Sequence, residues 1–306
     1  MRHTISTFLL AMIATVAFAQ KPDKALIRVK YAFSHLNDTN RRDNFYKENM
    51  ILVAGKSASV FLSHDKVLRD IETKKSLEDQ VRQQGGNITS ITMPQRKRPT
   101  SESEYYYFAN EGKVFLKEPM GVVYLIEYPA EKIDWKLTTE KQNIEGIDCK
   151  KATTNFKGRN WIAWYAEELP FTSGPWKLAG LPGLIVQAYD ENKEISFEFA
   201  GLEKVEEINP KPVQKGLDEM SIPKWGSAAM LTTSEIKLPE NVVRATPQEI
   251  KRLKEARAND PQGFAKTQMA ALGMGGLTRV APGPGSTPNP QAGLIMNNPI
   301  EKTPIK

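Results

Sequence analysis

The chain has 306 residues, and its 42 Lys and Arg residues against 36 Asp and Glu residues give a formal net charge of +6. This excess is small for the length and the basic residues are scattered, so nucleic-acid binding is a poor prediction. The single cysteine, Cys149, excludes an internal disulfide bond, and the fold must therefore be stabilised by its apolar core. We expect Cys149 to be buried and structural, because no histidine nearby in the sequence would lower the pKa of its thiol.

Residues 1–19 are typical of a secretory signal peptide. The start is basic, residues 5–18 are mostly apolar and uncharged, and Ala17-Phe18-Ala19 is a small-x-small cleavage site. The apolar stretch is shorter than the roughly 20 residues that a membrane span needs. We expect cleavage after Ala19 and export to the periplasm, with the cell surface or secretion as the alternative.

Residues 20–206 have the pattern of an antiparallel β domain. Residues 24–35 alternate between apolar and polar side chains, as a half-buried strand does. Residues 50–54 and 58–62 flank a short Gly-Lys-Ser turn, which predicts a hairpin.

An insertion at residues 64–103 interrupts the predicted strands. Its first part, residues 64–84, has apolar side chains at helical spacing, but Lys74 and Glu78 fall within the apolar stripe. This pattern predicts one surface helix, or two short ones, rather than a core helix. The rest of the insertion is a polar loop.

Residues 104–206 consist almost entirely of predicted strands. The turn signals are Glu111-Gly112, a Lys-Gly-Arg turn that ends at Arg159, and a Glu-Asn-Lys turn at residues 191–193. Short connections and alternating strands predict antiparallel pairing with one solvent-exposed face. About ten strands make a sheet too wide to stay flat. The predicted fold is mainly β (α+β): a curled antiparallel sheet, possibly a half-barrel, with accessory helices.

The last hundred residues have a different composition, and residues 207–280 predict a helical appendage. Thr246 and Glu249 form a capping box with a proline at the first helical position. A second helix is predicted to begin after Asp260. Residues 281–306 are rich in Pro, Gly, Asn and Ser and are predicted to be a low-complexity tail that is mostly disordered.

The sequence carries no recognisable catalytic or cofactor motif. The mature chain has two histidines, His35 and His64, and neither lies in a metal or nucleophile motif. The methionines are dispersed, which favours a packing role over copper binding. We therefore predict no cofactor and no metal site.

The most informative stretch is 158–185, which holds three of the five tryptophans. Trp161 and Trp164 are three residues apart, so a regular strand would direct them to opposite faces. Pro182-Gly183 predicts a buried type II turn. The candidate binding surface comprises Arg159, Trp161, Trp164, Trp176, Lys177, Gly180, Leu181, Pro182, Gly183, Leu184 and Ile185.

The run Gly180-Leu181-Pro182-Gly183-Leu184-Ile185 resembles the signature of the GLPGLI family of exported proteins from Bacteroidetes-type bacteria. Further matches are Cys149-Lys150-Lys151-Ala152, Gly158-Arg159, Ala163-Trp164-Tyr165, Gly174-Pro175-Trp176-Lys177 and Asn298-Pro299-Ile300-Glu301. The resemblance is strongest over residues 135–202. It implies a periplasmic or cell-surface accessory protein, in a family often considered beside TonB-dependent outer-membrane receptors. It implies no particular activity, catalytic residue or cofactor.

We therefore predict a non-catalytic periplasmic binding or accessory protein. It would hold an apolar small ligand, or an outer-membrane partner such as a TonB-dependent receptor, on the concave face or the 158–185 region. One alternative is a hydrolase using carboxylate chemistry, which needs a cleft with two carboxylates or one carboxyl group with a strongly raised pKa. The other is a periplasmic metal-binding protein, which needs at least three converging His, Met or carboxylate side chains.

Overall fold

The structure is a computed structural model that describes residues 22–85, 99–205, 234–240, 242–271 and 296–302. The predicted signal peptide lies outside these residues. None of the helices in these ranges is long and apolar enough to cross a membrane.

Strands dominate the described residues, and all but two of them belong to one sheet. They are β1 (Asp23–Lys24), β2 (Ile27–His35), β3 (Tyr46–Ala54), β4 (Ala58–Ser63), β5 (Glu104–Phe108), β6 (Lys113–Met120), β7 (Val122–Pro129), β8 (Lys136–Ile144), β9 (Ile147–Phe156), β10 (Arg159–Ala166), β11 (Leu184–Asp190), β12 (Ile195–Lys204), β13 (Glu235–Ile236) and β14 (Val243–Ala245).

The main sheet has twelve strands in the order β14-β7-β6-β5-β4-β3-β2-β12-β11-β10-β9-β8, and β1 pairs separately with β13. Every neighbouring pair in the main sheet is antiparallel except β14 and β7, which are parallel. The prediction of a mainly β protein with accessory helices is confirmed. The appendage differs from its helical prediction in adding two short strands, β13 and β14.

The sheet is open and curls around its own concave face. β5 and β9 are seven positions apart in the strand order. In a flat sheet that separation corresponds to about 34 Å, at about 4.8 Å per strand. Yet Tyr105 on β5 and Phe156 on β9 line the same cavity of about 300 Å³. Curling brings the two strands together, which confirms the expectation that so wide a sheet would not stay flat.

Both faces of the central strands are covered. In β3, Leu52 packs into the large cluster on the concave face, whereas its neighbour Ile51 packs into a second cluster on the opposite face. That second cluster includes Val67 from the helix after β4 and Ile236 from β13. All six residues of β4 are buried as a result. The prediction of one solvent-exposed face is therefore wrong for these strands.

Three helices accompany the sheet in the described residues: α1 (His64–Gln83), α2 (Pro247–Asn259) and α3 (Pro261–Ala271). The predicted surface helix is α1, a single helix that buries Val67 and Val81. Thr246 and Glu249 form the predicted capping box of α2. Ile250 of α2 packs on β6 and β7 at one end of the concave face.

Candidate functional site

Residues 167–183, here called the covering segment, connect β10 to β11 and lie over the concave face without forming a helix or strand. Backbone and side-chain hydrogen bonds fix the segment at both ends. The N–H of Leu184 donates to the carbonyl of Leu169 at 2.9 Å. The indole N–H of Trp135 donates to the carbonyl of Ala179 at 2.9 Å. The covering segment is therefore held as a fixed wall over the sheet.

One end of the 158–185 region is here called the packed end. It consists of Trp161, Leu181, Leu184 and Ile185 and forms continuous core. Each of its side chains is at most 1% exposed. The indole of Trp161 stacks against Phe197 with ring centroids 6.3 Å apart. Aromatic and aliphatic burial of this kind stabilises a fold by about 1.5–3 kcal/mol per side chain. No surface is left at the packed end for a ligand to reach.

The Pro182-Gly183 turn is tighter than predicted. The N–H of Gly183 donates to the carbonyl of Leu181 at 2.8 Å, which makes a three-residue turn centred on Pro182 rather than a type II turn. Gly183 has φ +153°, and a Cβ there would overlap the backbone carbonyl of Ala166. Contact with β10 therefore dictates the glycine. Pro182 itself is exposed.

Trp164 is buried as well, with 8% of its surface exposed. It lies where the register between β10 and β11 shifts, next to Tyr165. Trp161, Trp164 and Trp176 are all buried, so these tryptophans do not form a flat exposed aromatic patch.

The other end of the 158–185 region is here called the cavity end. It consists of Trp176, Lys177 and Gly180 and forms one wall of a cavity of about 300 Å³. The opposite wall is formed by β4 to β7 and the β9–β10 hairpin. Six of the lining side chains are aromatic: Phe61, Tyr105, Tyr107, Tyr128, Phe156 and Trp176. A depression on α1 is lined only by polar residues such as Glu72 and is more open to solvent, so the cavity is the better candidate site.

The ammonium of Lys177 sits among three aromatic rings at the cavity wall. Its Nζ lies 5.9 Å from the ring centroid of Tyr105, 5.5 Å from that of Tyr128 and 5.8 Å from that of Trp176. The same Nζ lies 2.6 Å from a carboxylate oxygen of Glu301. Cation–π attraction and the ion pair together fix a positive charge beside the cavity.

The tyrosines of this wall stay neutral at ordinary pH. Burial, and then the negative charge of Glu301, raise the pKa of Tyr105 well above its ordinary value of 10.0. Burial also raises the pKa of Tyr128, with added contributions from Glu118 and Glu301. Neutral phenols offer hydrogen bonds and ring faces to a ligand, but they do not act as anionic nucleophiles.

Arg159 belongs to a buried polar network rather than to the cavity. Its guanidinium donates to Asp190 at 2.7 Å and to Glu194 at 3.2 Å. It also donates to the side-chain oxygen of Asn298 at 2.6 Å. Burial raises the pKa of Glu194, but hydrogen bonds from Asn298 and Arg159 outweigh it, and the pKa is lowered overall.

This network holds residues 296–302, here called the C-terminal strap. The side-chain amide of Asn298 donates to the carbonyl of Leu36 at 2.8 Å, and the backbone carbonyl of Asn298 lies 2.7 Å from Nε2 of His35. The adjacent Glu301 reaches Lys177 at the cavity wall. Part of the predicted low-complexity tail is therefore docked on the domain, and residues 281–295 lie outside the described part of the chain.

The other candidate chemical groups do not converge on the cavity. Within the described ranges, no group of three or more His, Cys, Asp or Glu side chains could hold a metal ion. His35 ends β2, and His64 begins α1. Cys149 is buried, and burial raises the pKa of its thiol to about 11.

Sequence reasoning placed Trp176, Lys177 and Gly180 in the candidate surface but omitted Tyr105 and Tyr128, which complete the wall. Tyr105 lies in a run of three consecutive tyrosines, an unusual signal that could have singled it out. Their meeting with Lys177 depends on the curl of the sheet. Local periodicity does not encode that curl.

No protein-family model and no curated protein matches the chain. Among solved structures, the chain is similar to two crystal structures of PNGF-II. The structure in space group P21 has 14% identity and a TM-score of 0.44, and the structure in space group C2 has 12% identity and a TM-score of 0.45. Each match covers 74% of this chain and 32% of PNGF-II, so this chain spans about a third of the length of that protein. At these TM-scores the likeness carries no functional argument.

Proposed function

We propose that this chain is a non-catalytic periplasmic binding protein of the GLPGLI family, which holds a small, largely apolar ligand in the cavity beneath the covering segment. The cavity end carries this proposal. A space of about 300 Å³ lies between a fixed wall and the sheet, and its lining combines six aromatic side chains with a few polar groups. Small-molecule sites have this size and composition.

Binding is better supported than hydrolysis by the charges around the cavity. Among the described residues that line it, Glu131 is the one acidic side chain, and it is exposed and ion-paired with Lys157. Hydrolysis by a carboxylate pair requires two such groups, one on each side of the substrate. The buried acids Asp190 and Glu194 are instead occupied by Arg159.

The first test is native mass spectrometry of residues 20–306 isolated from the periplasm of the native host. We expect a reproducible added mass of a small molecule. The variant Val114→Trp should remove that mass, because Val114 is a half-buried residue of β6 that lines the cavity. The matched control is Val123→Trp, at a half-buried valine of the neighbouring strand β7 that does not line the cavity.

The alternative function is contact with an outer-membrane protein such as a TonB-dependent receptor. Leu68 and Ile71 favour this second candidate, since they lie about one turn apart on α1 and are 42% and 38% exposed. In the same experiment, a protein that carries only another polypeptide and no small molecule would overturn the ligand proposal. Retention of the small mass by Val114→Trp would place its site elsewhere.

A further inference from the structure

The cavity is aromatic, but its charged lining is predominantly positive. Lys132, Lys157 and Lys177 line it together with Glu131, so the lining side chains carry three positive charges against one negative charge. Lys157 lies over the ring of Phe156, with its Nζ 5.6 Å from the centroid. A cationic ligand would meet this excess of like charge, whereas an anionic ligand would relieve it.

Lys177 is the lining charge whose position is most firmly fixed. Its side chain is 14% exposed, and three ring faces and Glu301 surround its ammonium. Glu301 does not line the cavity, and its second carboxylate oxygen is buried without a hydrogen-bond partner among the described residues. Glu301, on the C-terminal strap, therefore pairs with the ammonium without lining the cavity.

Two glycines give the cavity wall open positions. Gly112 and Gly180 line the cavity with φ of +59° and +89°, and a Cβ at either position would meet nothing within 4 Å. The wall is thus uncrowded at these points. A polar group carried at the end of a flat apolar ligand has room there.

We propose that the ligand is an amphipathic anion, in which a flat apolar or aromatic body fills the ring-lined cavity and a carboxylate or sulfonate pairs with Lys177. This inference rests on the proposed binding function and adds the chemical class of the ligand. The aromatic walls accept the body through ring contacts. Lys177 supplies a charge-assisted hydrogen bond to the acidic group.

The test uses two fluorescent probes with the same ring system. Anilinonaphthalene sulfonate is anionic, and phenylnaphthylamine lacks the sulfonate and is neutral. We expect the folded protein to bind the anionic probe about tenfold more tightly, the difference that one charge-assisted hydrogen bond produces. Val114→Trp should abolish the binding of both probes.

Two variants separate the charge from the cavity. Lys177→Met should lower the ratio of anionic-probe to neutral-probe affinity about tenfold. Glu301→Gln should act in the opposite direction, because it removes the negative charge that partly neutralises Lys177. Lys150→Met, at an exposed ion pair with Glu167 in which neither residue lines the cavity, should change neither probe.

The outcomes distinguish the two proposals. If neither probe binds, or if Val114→Trp leaves both affinities unchanged, the binding function itself fails. If both probes bind equally and are blocked by Val114→Trp, while Lys177→Met and Glu301→Gln alter neither, only the anionic class is overturned. Circular dichroism of each variant verifies the fold, and Glu301→Gln keeps the test decisive if Lys177→Met does not fold.

Discussion

The packed end and the cavity end of the 158–185 region are formed by one continuous stretch of chain, yet they have different physical roles. At the packed end, Trp161 and Leu181 are each 1% exposed and leave no accessible surface. At the cavity end, Trp176 and Lys177 stand opposite Tyr105 and leave a space of about 300 Å³. One stretch of sequence therefore combines residues that fold the domain with residues that frame a candidate site.

This comparison has an experimental meaning. Substitutions at the packed end, or in the Arg159 network beside it, should reduce stability and affect ligand binding only through unfolding. Substitutions at the cavity end that spare the buried Trp176, such as Lys177→Met, should change binding with little loss of stability. Measuring both quantities on the same variants tests the division directly.

The largest effect on stability is expected for Arg159→Met. The substitution leaves Asp190 in a buried network without its cation, and it leaves Glu194 with only the exposed Lys302, whose Nζ is 3.8 Å away. We expect the free energy of unfolding to fall by about 3–5 kcal/mol, as it does when one partner of a buried pair is removed. Urea unfolding followed by tryptophan fluorescence measures the change. A loss no larger than that of the exposed-pair variant Lys150→Met would contradict the structural role of Arg159.

The next effect concerns two glycines of the signature. Gly183→Ala should destabilise the fold by about 3 kcal/mol, because the new Cβ would overlap the Ala166 carbonyl and φ is +153°. Gly180→Ala should cost only about 1 kcal/mol, since its strain is limited to the left-handed backbone. Thermal unfolding of the two variants gives the comparison. Equal losses would show that the packed and cavity ends are not energetically distinct.

The smallest effect is a pH dependence of stability that arises from His35, which contacts the C-terminal strap, and from His64 at the start of α1. Burial lowers the pKa of His35 below its ordinary value of 6.5, against the effect of its hydrogen bond with Asn298. Burial likewise lowers the pKa of His64. The unfolded chain therefore binds protons at higher pH than the folded chain. Stability should decrease as the pH falls through 6.5 toward the folded-state pKa values.

The double variant His35→Gln, His64→Gln should have a shallower pH dependence in this window. Urea unfolding at a series of pH values measures the slope. An unchanged slope would mean that the two histidines do not cause it.

Local sequence signals were sufficient for most elements of the fold. Alternation predicted the strands, and the capping box at Thr246 predicted the start of α2. These local signals were insufficient where the residues that surround a position in the fold are far from it in the sequence. Gly183 accommodates β10 instead of forming a type II turn, and α1 covers a face predicted to be exposed.

The sequence by itself determined the class of fold, the strand-rich region and the stretch that holds both Trp176 and Lys177. These features depend on local periodicity, turn residues and composition, which a linear pattern records. The tertiary structure alone decided that β5 and β9 approach each other, that Glu301 holds Lys177 from the strap, and that Tyr105 completes the cavity. Those contacts arise from the curl of a twelve-stranded sheet, a collective property that no short segment encodes.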